Sequence, residues 1–387
     1  VTRTWVIVTG HFVRTSGQGR ANLALAELLQ ERGDRVHLVS AEVEPALATR
    51  PGVTVHQVRY PLRSHRLGEQ LLDREGRRVA AQVLARDPAA RVVVNGGNCR
   101  WDDVCWVHMV HAAWSCLDSG APLAPRLKAR IGQWLDRARE RIVLRRARLL
   151  IANSERTRRD VTSLLGVPAP RIAVIPLGTD PDLFRPPTGE ERREARRSLE
   201  IDKDAHVLAF VGVHGPELKK GFDTLVAAFH QVTRAGPDTL LVTAGAGALD
   251  RWRARLVELG LDRRVRLLGQ TDQVPALLAA ADLLVAPSRY DAYGLNVHEA
   301  LCTGLPAITT EAAGISAVYP ADLHDLVLRR ADDADELARV IIAALAGLTA
   351  LRARVQPLGE RLRRYAWSDM AAAMVARIED EGRAPHA

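Results

Sequence analysis

Two carboxylates, Asp291 and Glu299, stand with seven residues between them in LLVAPSRYDAYGLNVHEALCTGLPAITTE, residues 283 to 311. The apolar run Leu283 to Pro287 reads as a buried parallel strand and a polar turn follows it. Leu295 to Thr303 then reads as a helix stopped by Gly304, and Pro306 to Thr310 as the next strand. In such a βαβ unit the first loop and the helix N-terminus lie at the carboxyl edge of a sheet, where α/β folds bind ligands. Backbone N–H groups near Gly294, Leu295 and Asn296 would face an anion there, helped by the helix dipole, and phosphate fits. Glu299 shares the face that carries the helix mouth, so its two oxygens suit a vicinal diol such as ribose. Asp291, across the phosphate site, suits the hydroxyls of a sugar. Each acid alone also matches a surface loop acid or a helix Glu favoured by the dipole. Together they describe a nucleotide-diphosphate sugar held end to end.

A second cluster precedes another helix. The strand HVLAFVGVHG ends near Gly212, and Lys219, Lys220 and Gly221 open the helix FDTLVAAFHQV. Cations at a helix start oppose its dipole, so two lysines there point to an anionic ligand or to a solvated pair. Near the N-terminus, Gly17 and Gly19 lie between the strand TWVIVTG and the helix ANLALAELLQERG, where small residues let backbone approach a ligand. His108 and His111 lie on or after a strand near Val104 to Val110, and three residues apart they face opposite sides unless the strand ends between them.

The run through Pro287, Ser288, Asp291, Tyr293, Gly294, Leu295, Glu299, Ala300, Gly304 and Pro306 resembles the acidic signature of retaining GT-B glycosyltransferases of family 4, two glutamates separated by seven residues. Two positions depart from that pattern: Asp291 is one methylene shorter than the usual Glu, and Val213 follows Gly212 where the family has an arginine. The resemblance implies two Rossmann-like, doubly wound domains facing an interdomain cleft. Residues 1–180 would be the acceptor side, residues 181–366 the donor side, and a C-terminal helix, 367–382, would pack back on the first domain. It implies Gly17, Gly19, Gly212, Lys219, Lys220, Tyr293, Gly294, Leu295, Asn296 and Glu299 as the donor-binding set, and His111, Asp291 and Lys220 as the catalytic set, with His108 second to His111 near the transferred sugar. The donor would be a UDP-, GDP- or ADP-sugar, with no cofactor and no metal. The acceptor would be a glycan, a lipid-linked sugar or a small molecule. A sugar-nucleotide epimerase, a phosphorylase, or a non-catalytic binder of nucleotide sugars or anionic polymers are the rival readings.

The elements that must position these residues alternate strand and helix along the whole chain, the doubly wound pattern. At 387 residues, 47% hydrophobic and 26% charged, the chain has the length for two cores and the composition of a globular protein. The turn-rich stretch PLGTDPDLFRPP, residues 176 to 187, is the expected crossing between them. Asp180 and Asp182 form a DxD pair, but without a strand end beside it a metal is not expected. Four cysteines, Cys99, Cys105, Cys116 and Cys302, show no metal-ligand spacing and read as reduced.

No apolar run reaches the roughly 18 to 20 residues of a membrane-spanning helix, and a strand-like run begins within the first few residues. The cytoplasm is therefore the expected compartment. A net charge of +8 invites anionic partners, but 4% aromatic residues and no stacking motif argue against nucleic acid. Residues 126 to 148 read as a basic amphipathic helix: Leu127, Ile131, Trp134, Leu135, Ala138 and Ile142 recur at helical spacing among nine Lys or Arg and two acids. It suits either peripheral contact with an anionic membrane or a surface helix packing its apolar stripe on the first domain.

Overall fold

The computed structural model describes residues 2–61, 65–115, 123–215, 218–235 and 238–381, with side chains for all of these except 65–66 and 123–129. Cys116 and the side chain of Leu127 lie outside them. The described residues divide into two compact units: those within Val1–Ser115, Leu127–Gly178 and Trp367–Ala387 form the first, and those within Thr179–Ala366, with the start of the helix that begins at Leu123, the second.

The first unit begins with β1 (Thr4–Val8), β2 (His11–Phe12), α1 (Gly17–Glu31), β3 (Arg35–Ser40), β4 (Glu42–Val43), α2 (Pro45–Ala48) and β5 (Val53–Gln57). It continues with α3 (His65–Arg86), β6 (Arg91–Asn95), β7 (Val104–Val107), α4 (Leu123–Arg146), β8 (Leu149–Ala152), α5 (Glu155–Leu165) and β9 (Ile172–Val174). Its main sheet has the order β5-β3-β1-β6-β7-β8-β9, and its pairings are parallel. Chain order reverses between β1 and β6. All five residues of β1 are buried, as a strand covered on both faces requires. At its carboxyl end Asn22 and Asn95 both donate to Thr9 Oγ1 (3.0 and 3.1 Å), and Asn95 Nδ2 also donates to Asn22 Oδ1 at 2.7 Å.

In the second unit α6 (Gly189–Ser198) leads into β10 (His206–Val211), α7 (Phe222–Ala235), β11 (Thr239–Ala244), α8 (Leu249–Glu258), β12 (Val265–Leu267) and α9 (Val274–Ala280). Then come β13 (Leu283–Val285), α10 (Leu295–Cys302), β14 (Ala307–Thr310), β15 (Val327–Leu328), α11 (Ala334–Ala346) and α12 (Leu348–Arg363). The sheet order is β12-β11-β10-β13-β14-β15, again parallel, with its reversal between β10 and β13. A last helix, α13 (Trp367–Glu381), belongs to the first unit, packs against α1 and sets Trp367 beneath the Arg20 guanidinium, 5.7 Å from the ring centroid.

Two expectations need correcting. The strand after residue 103 stops at Val107, so His108 and His111 both lie beyond its end and strand alternation does not divide them. And α4 does not pack its apolar stripe on the first unit. Ile131, Trp134, Leu135 and Ile142 are exposed, Trp134 at 67%, whereas Glu140, Val143 and Leu144 are buried. The helix turns this way because Val143 and Leu144 join the core cluster of β6, β7 and β8 while its polar residues bond to the chain beneath.

Candidate functional site

The reversal between β10 and β13 places two loops side by side at the carboxyl edge of the second sheet. Chain packing there is too tight for side chains at two positions. A Cβ on Gly221 (φ +70) would stand 1.9 Å from the Pro287 carbonyl oxygen, and one on Gly294 (φ +99) 2.6 Å from Ile315 Cγ2. The loops are then joined bond by bond. Arg289 N donates to Lys219 O at 2.9 Å, and the Arg289 guanidinium grips Asp223 through two bonds of 2.6 and 2.7 Å. It also reaches Leu218 O and Thr224 Oγ1. Arg289 and Asp223 were not singled out from the sequence; the signal available was an arginine inside the acidic motif and an aspartate two residues after Gly221.

Between these loops Lys220 Nζ donates to Asp291 Oδ2 at 2.5 Å, so the expected phosphate cation and the expected sugar acceptor meet each other. The ammonium has three donors, and this pair occupies one. The backbone of Asp291 is fixed by Ala312 O and Gly314 N on the following loop.

Gly294, in the left-handed region, is the N-cap of α10. The first intrahelical bonds run from Val297 and His298 to Gly294 O, which leaves the Leu295 and Asn296 N–H groups at the helix mouth without intrahelical acceptors. The Asn296 side chain ties this mouth to the end of β10 by donating to Val211 O at 2.8 Å. Glu299, one turn on, is buried at 4% exposure. Tyr293, expected to face the donor, turns inward: its side chain is buried and its hydroxyl meets His298 Nδ1 at 2.7 Å. Burial raises the Tyr293 phenol and pulls His298 down to about 4, so the two form a neutral packed pair beneath the loop.

Gly212 lies against Lys220, whose Cγ would be 3.3 Å from an added Cβ. Val213, where the family places an arginine, is 45% exposed. Next to it His214 is buried, its Nε2 3.0 Å from Thr243 Oγ1 and its ring edge-on to Phe222. Lys219 is half-buried and meets Arg289 through its carbonyl.

In the first unit Gly17 and Gly19 fall inside the first turn of α1, not before it, because Ser16 caps the helix by accepting from Gly19 N at 3.0 Å. A Cβ on Gly19 would stand 2.3 Å from Val13 O, so the chain's own loop requires that glycine. Burial pulls His108 down to about 3, and its ring stacks on Trp106 with centroids 4.4 Å apart. A group neutral across ordinary pH is a poor proton carrier there. His111 instead opens a three-residue 3-10 turn and is half-buried.

Cys99, Cys105 and Cys302 are free and buried, and burial pushes the Cys99 and Cys302 thiols up to about 12. Among the described residues, no helix is long and apolar enough to cross a membrane, and no three His, Cys, Asp or Glu side chains gather as a metal site.

Two parallel-sheet units, each with chain reversal at its centre and an anion-ready helix mouth in the second, define a GT-B fold. Family matches agree: residues 15–183 match the model described as Glycosyltransferase Family 4, and residues 205–347 the one described as Glycosyl transferases group 1. The chain belongs to the family 4 glycosyltransferases of GT-B fold. Among its relatives is a D-inositol 3-phosphate glycosyltransferase of Jonesia denitrificans, 27% identical over 66% of this chain and 61% of that protein. The chain thus spans about three fifths of that relative's length. Among solved structures, WaaG, a glycosyltransferase involved in lipopolysaccharide biosynthesis, superposes with a TM-score of 0.71 at 21% identity, over 98% of this chain and 100% of WaaG. Anabaena HepE in complex with UDP-glucose gives 0.69 at 19% identity, over 97% and 99%.

Proposed function

We propose that this chain is a retaining glycosyltransferase that moves a hexosyl unit from a nucleotide-diphosphate sugar to an acceptor hydroxyl without a metal. The observation that carries the reading is the convergence of Lys220, Asp291 and the mouth of α10 at one sheet edge. An entering diphosphate would take the unused donors of Lys220 together with the Leu295 and Asn296 amides, and Glu299 would hold the ribose. Asp291 orients Lys220 and presents its second oxygen to the sugar. As the glycosidic bond breaks, negative charge grows on the diphosphate, where fixed donors stabilise it. That leaving group takes the acceptor's proton on the face it departs from, and the new bond forms on that face with configuration retained. The donor is drawn from UDP-, GDP- and ADP-sugars: HepE, of the same fold, is described in complex with UDP-glucose, and Starch Synthase IV bound to ADP.

A panel of those sugars, scored by thermal shift and then by nucleotide release with EDTA present, tests this reading. Selective stabilisation with release unaffected by EDTA supports it; release that stops with EDTA and returns with a divalent cation refutes the metal-free form.

The outward face of α4 supports a second reading, that the protein works at an anionic membrane surface on the cytoplasmic side. Ile131, Trp134, Leu135 and Ile142 are exposed on the face that also carries exposed Arg130 and Arg141. An amphipathic helix of this make-up lies in the headgroup plane, apolar residues inward and arginines on phosphates. Co-sedimentation with phosphatidylglycerol vesicles, lost in Trp134→Ser with Ile131→Ser and absent with pure phosphatidylcholine, is the expected result. Equal sedimentation of the double variant would discard the surface.

A further inference from the structure

The inward face of α4 carries three polar side chains at successive turns, Gln133, Arg137 and Glu140, and all three bond to the segment that follows β7. Glu140 Oε1 accepts from the His111 N–H at 2.8 Å and Oε2 from the Ala112 N–H at 3.1 Å. Arg137 Nε donates to His111 O at 3.0 Å, and its Nη2 reaches Trp114 O and Ser115 Oγ. Gln133 Nε2 donates to Trp114 O at 2.8 Å. Both main-chain polar groups of His111 are therefore held from one helix. Glu140 is only 1% exposed. A buried carboxylate is costly unless its oxygens are bonded, and the amides of a short 3-10 turn could equally face water. The pairing is specific to the place where the chain leaves the sheet and His111 begins.

We infer that Glu140 is a positioning residue: its carboxylate, seconded by Arg137, clamps the backbone of His111 so that this imidazole keeps one place during transfer. The inference rests on the transferase reading together with the family resemblance, which implies His111 as a residue near the transferred sugar. The charged or titratable groups facing Glu140 are Arg137 and Asp136 on its own helix and Cys105 on β7, besides the two amides. Burial raises the Glu140 carboxyl to about 7 against the pull of those amides and of Arg137. Above that pH both oxygens accept. Below it one oxygen carries a proton and confronts an N–H donor, so one arm of the clamp is lost. The clamp tightens as pH rises through about 7.

The test uses the full chain with Glu140→Ala and Glu140→Gln, the latter retaining shape and one acceptor oxygen should the former fail to fold. Hydrogen exchange across residues 108–115 is expected to quicken by roughly tenfold in either variant, with β8 unchanged, since loss of a clamp opens the segment locally. Nucleotide release is then followed with whichever of UDP-, GDP- or ADP-glucose the wild-type chain turns over. The expected result is an unchanged KM with kcat lowered about tenfold, and a kcat step near neutral pH that Glu140→Gln removes. Unchanged exchange overturns the clamp. Quickened exchange with unchanged kcat overturns its role in transfer. A wild-type chain that releases nucleotide from none of the three sinks the transferase reading and this role with it, while the exchange data still report separately whether the clamp exists.

Discussion

The carboxyl edges of the two sheets solve one problem in opposite ways. In the second unit the backbone makes the site: glycines at positive φ bring loops within contact distance, a helix mouth presents amides, and a single ion pair, Lys220 with Asp291, stands at the centre. In the first unit side chains fix the edge by gripping backbone, as Glu140 and Arg137 do with residues 111–115. The difference follows from what each would hold. A diphosphate is bound by dipoles and cations that any sequence with the right turns can supply. On the inference above, the transferred sugar needs one imidazole in one place, and the neighbouring helix α4 fixes its backbone.

The largest break in this comparison is Lys220→Ala. With the cation gone the growing charge on the diphosphate loses its main side-chain donor, and kcat for nucleotide release should fall by roughly 10²- to 10³-fold. Exchange in residues 108–115 should not change, which keeps the two edges separate. Glu299→Ala should raise the donor Kd by about tenfold or more, the size of a lost hydrogen bond to a charged group, and calorimetry with the selected donor reads it directly; unaltered affinity would remove the ribose assignment.

Gly294→Ala attacks the backbone strategy itself. It must hold a Cβ at φ +99 against Ile315 Cγ2, and a loss of about 1–3 kcal/mol in urea unfolding is expected. A variant as stable as the parent would show that the loop is less constrained than its contacts imply. Arg289→Lys gives up the bidentate grip on Asp223, whose side chain is 30% exposed, so solvent screening keeps the loss near ~1 kcal/mol or below.

The smallest effect sharpens the other edge. Because burial raises the Glu140 carboxyl from 4.5 to about 7, the folded state holds more protons than the unfolded chain between those values. Stability therefore declines as pH rises through that window. Glu140→Gln should flatten this part of the profile, as denaturation midpoints at pH 5 and pH 7.5 would show. The trend runs against the clamp, which gains its second acceptor over the same range, so stability and activity should diverge with pH.

The strand, loop and helix of the expected donor edge are legible in the sequence because their signals are local. A strand, a turn with glycine and a helix of eight residues fit inside 283 to 311, and Glu299 takes its place from helical spacing, whereas Asp291 lies in the loop before the helix and is held there by Ala312 and Gly314. Tyr293 was the exception: adjacent in the motif, it turns inward because His298 lies five residues on with a matching ring nitrogen. Orientation of a side chain at a loop depends on what packs beneath it, and spacing does not encode that.

What the sequence determined by itself was the order of strands and helices, their parallel α/β class, and the glycine-capped mouth of α10, all of which follow from periodicity and glycine placement. Only the tertiary structure decided the rotation of α4, the pairing of Lys220 with Asp291 across 71 positions, and the bonding of Glu140 to His111 across 29. Those depend on which surfaces of distant elements meet, and a helical repeat of 3.6 residues defines a stripe without saying which stripe the core will take. In α4 the core took Val143 and Leu144 together with a carboxylate, and the more apolar face was left outside.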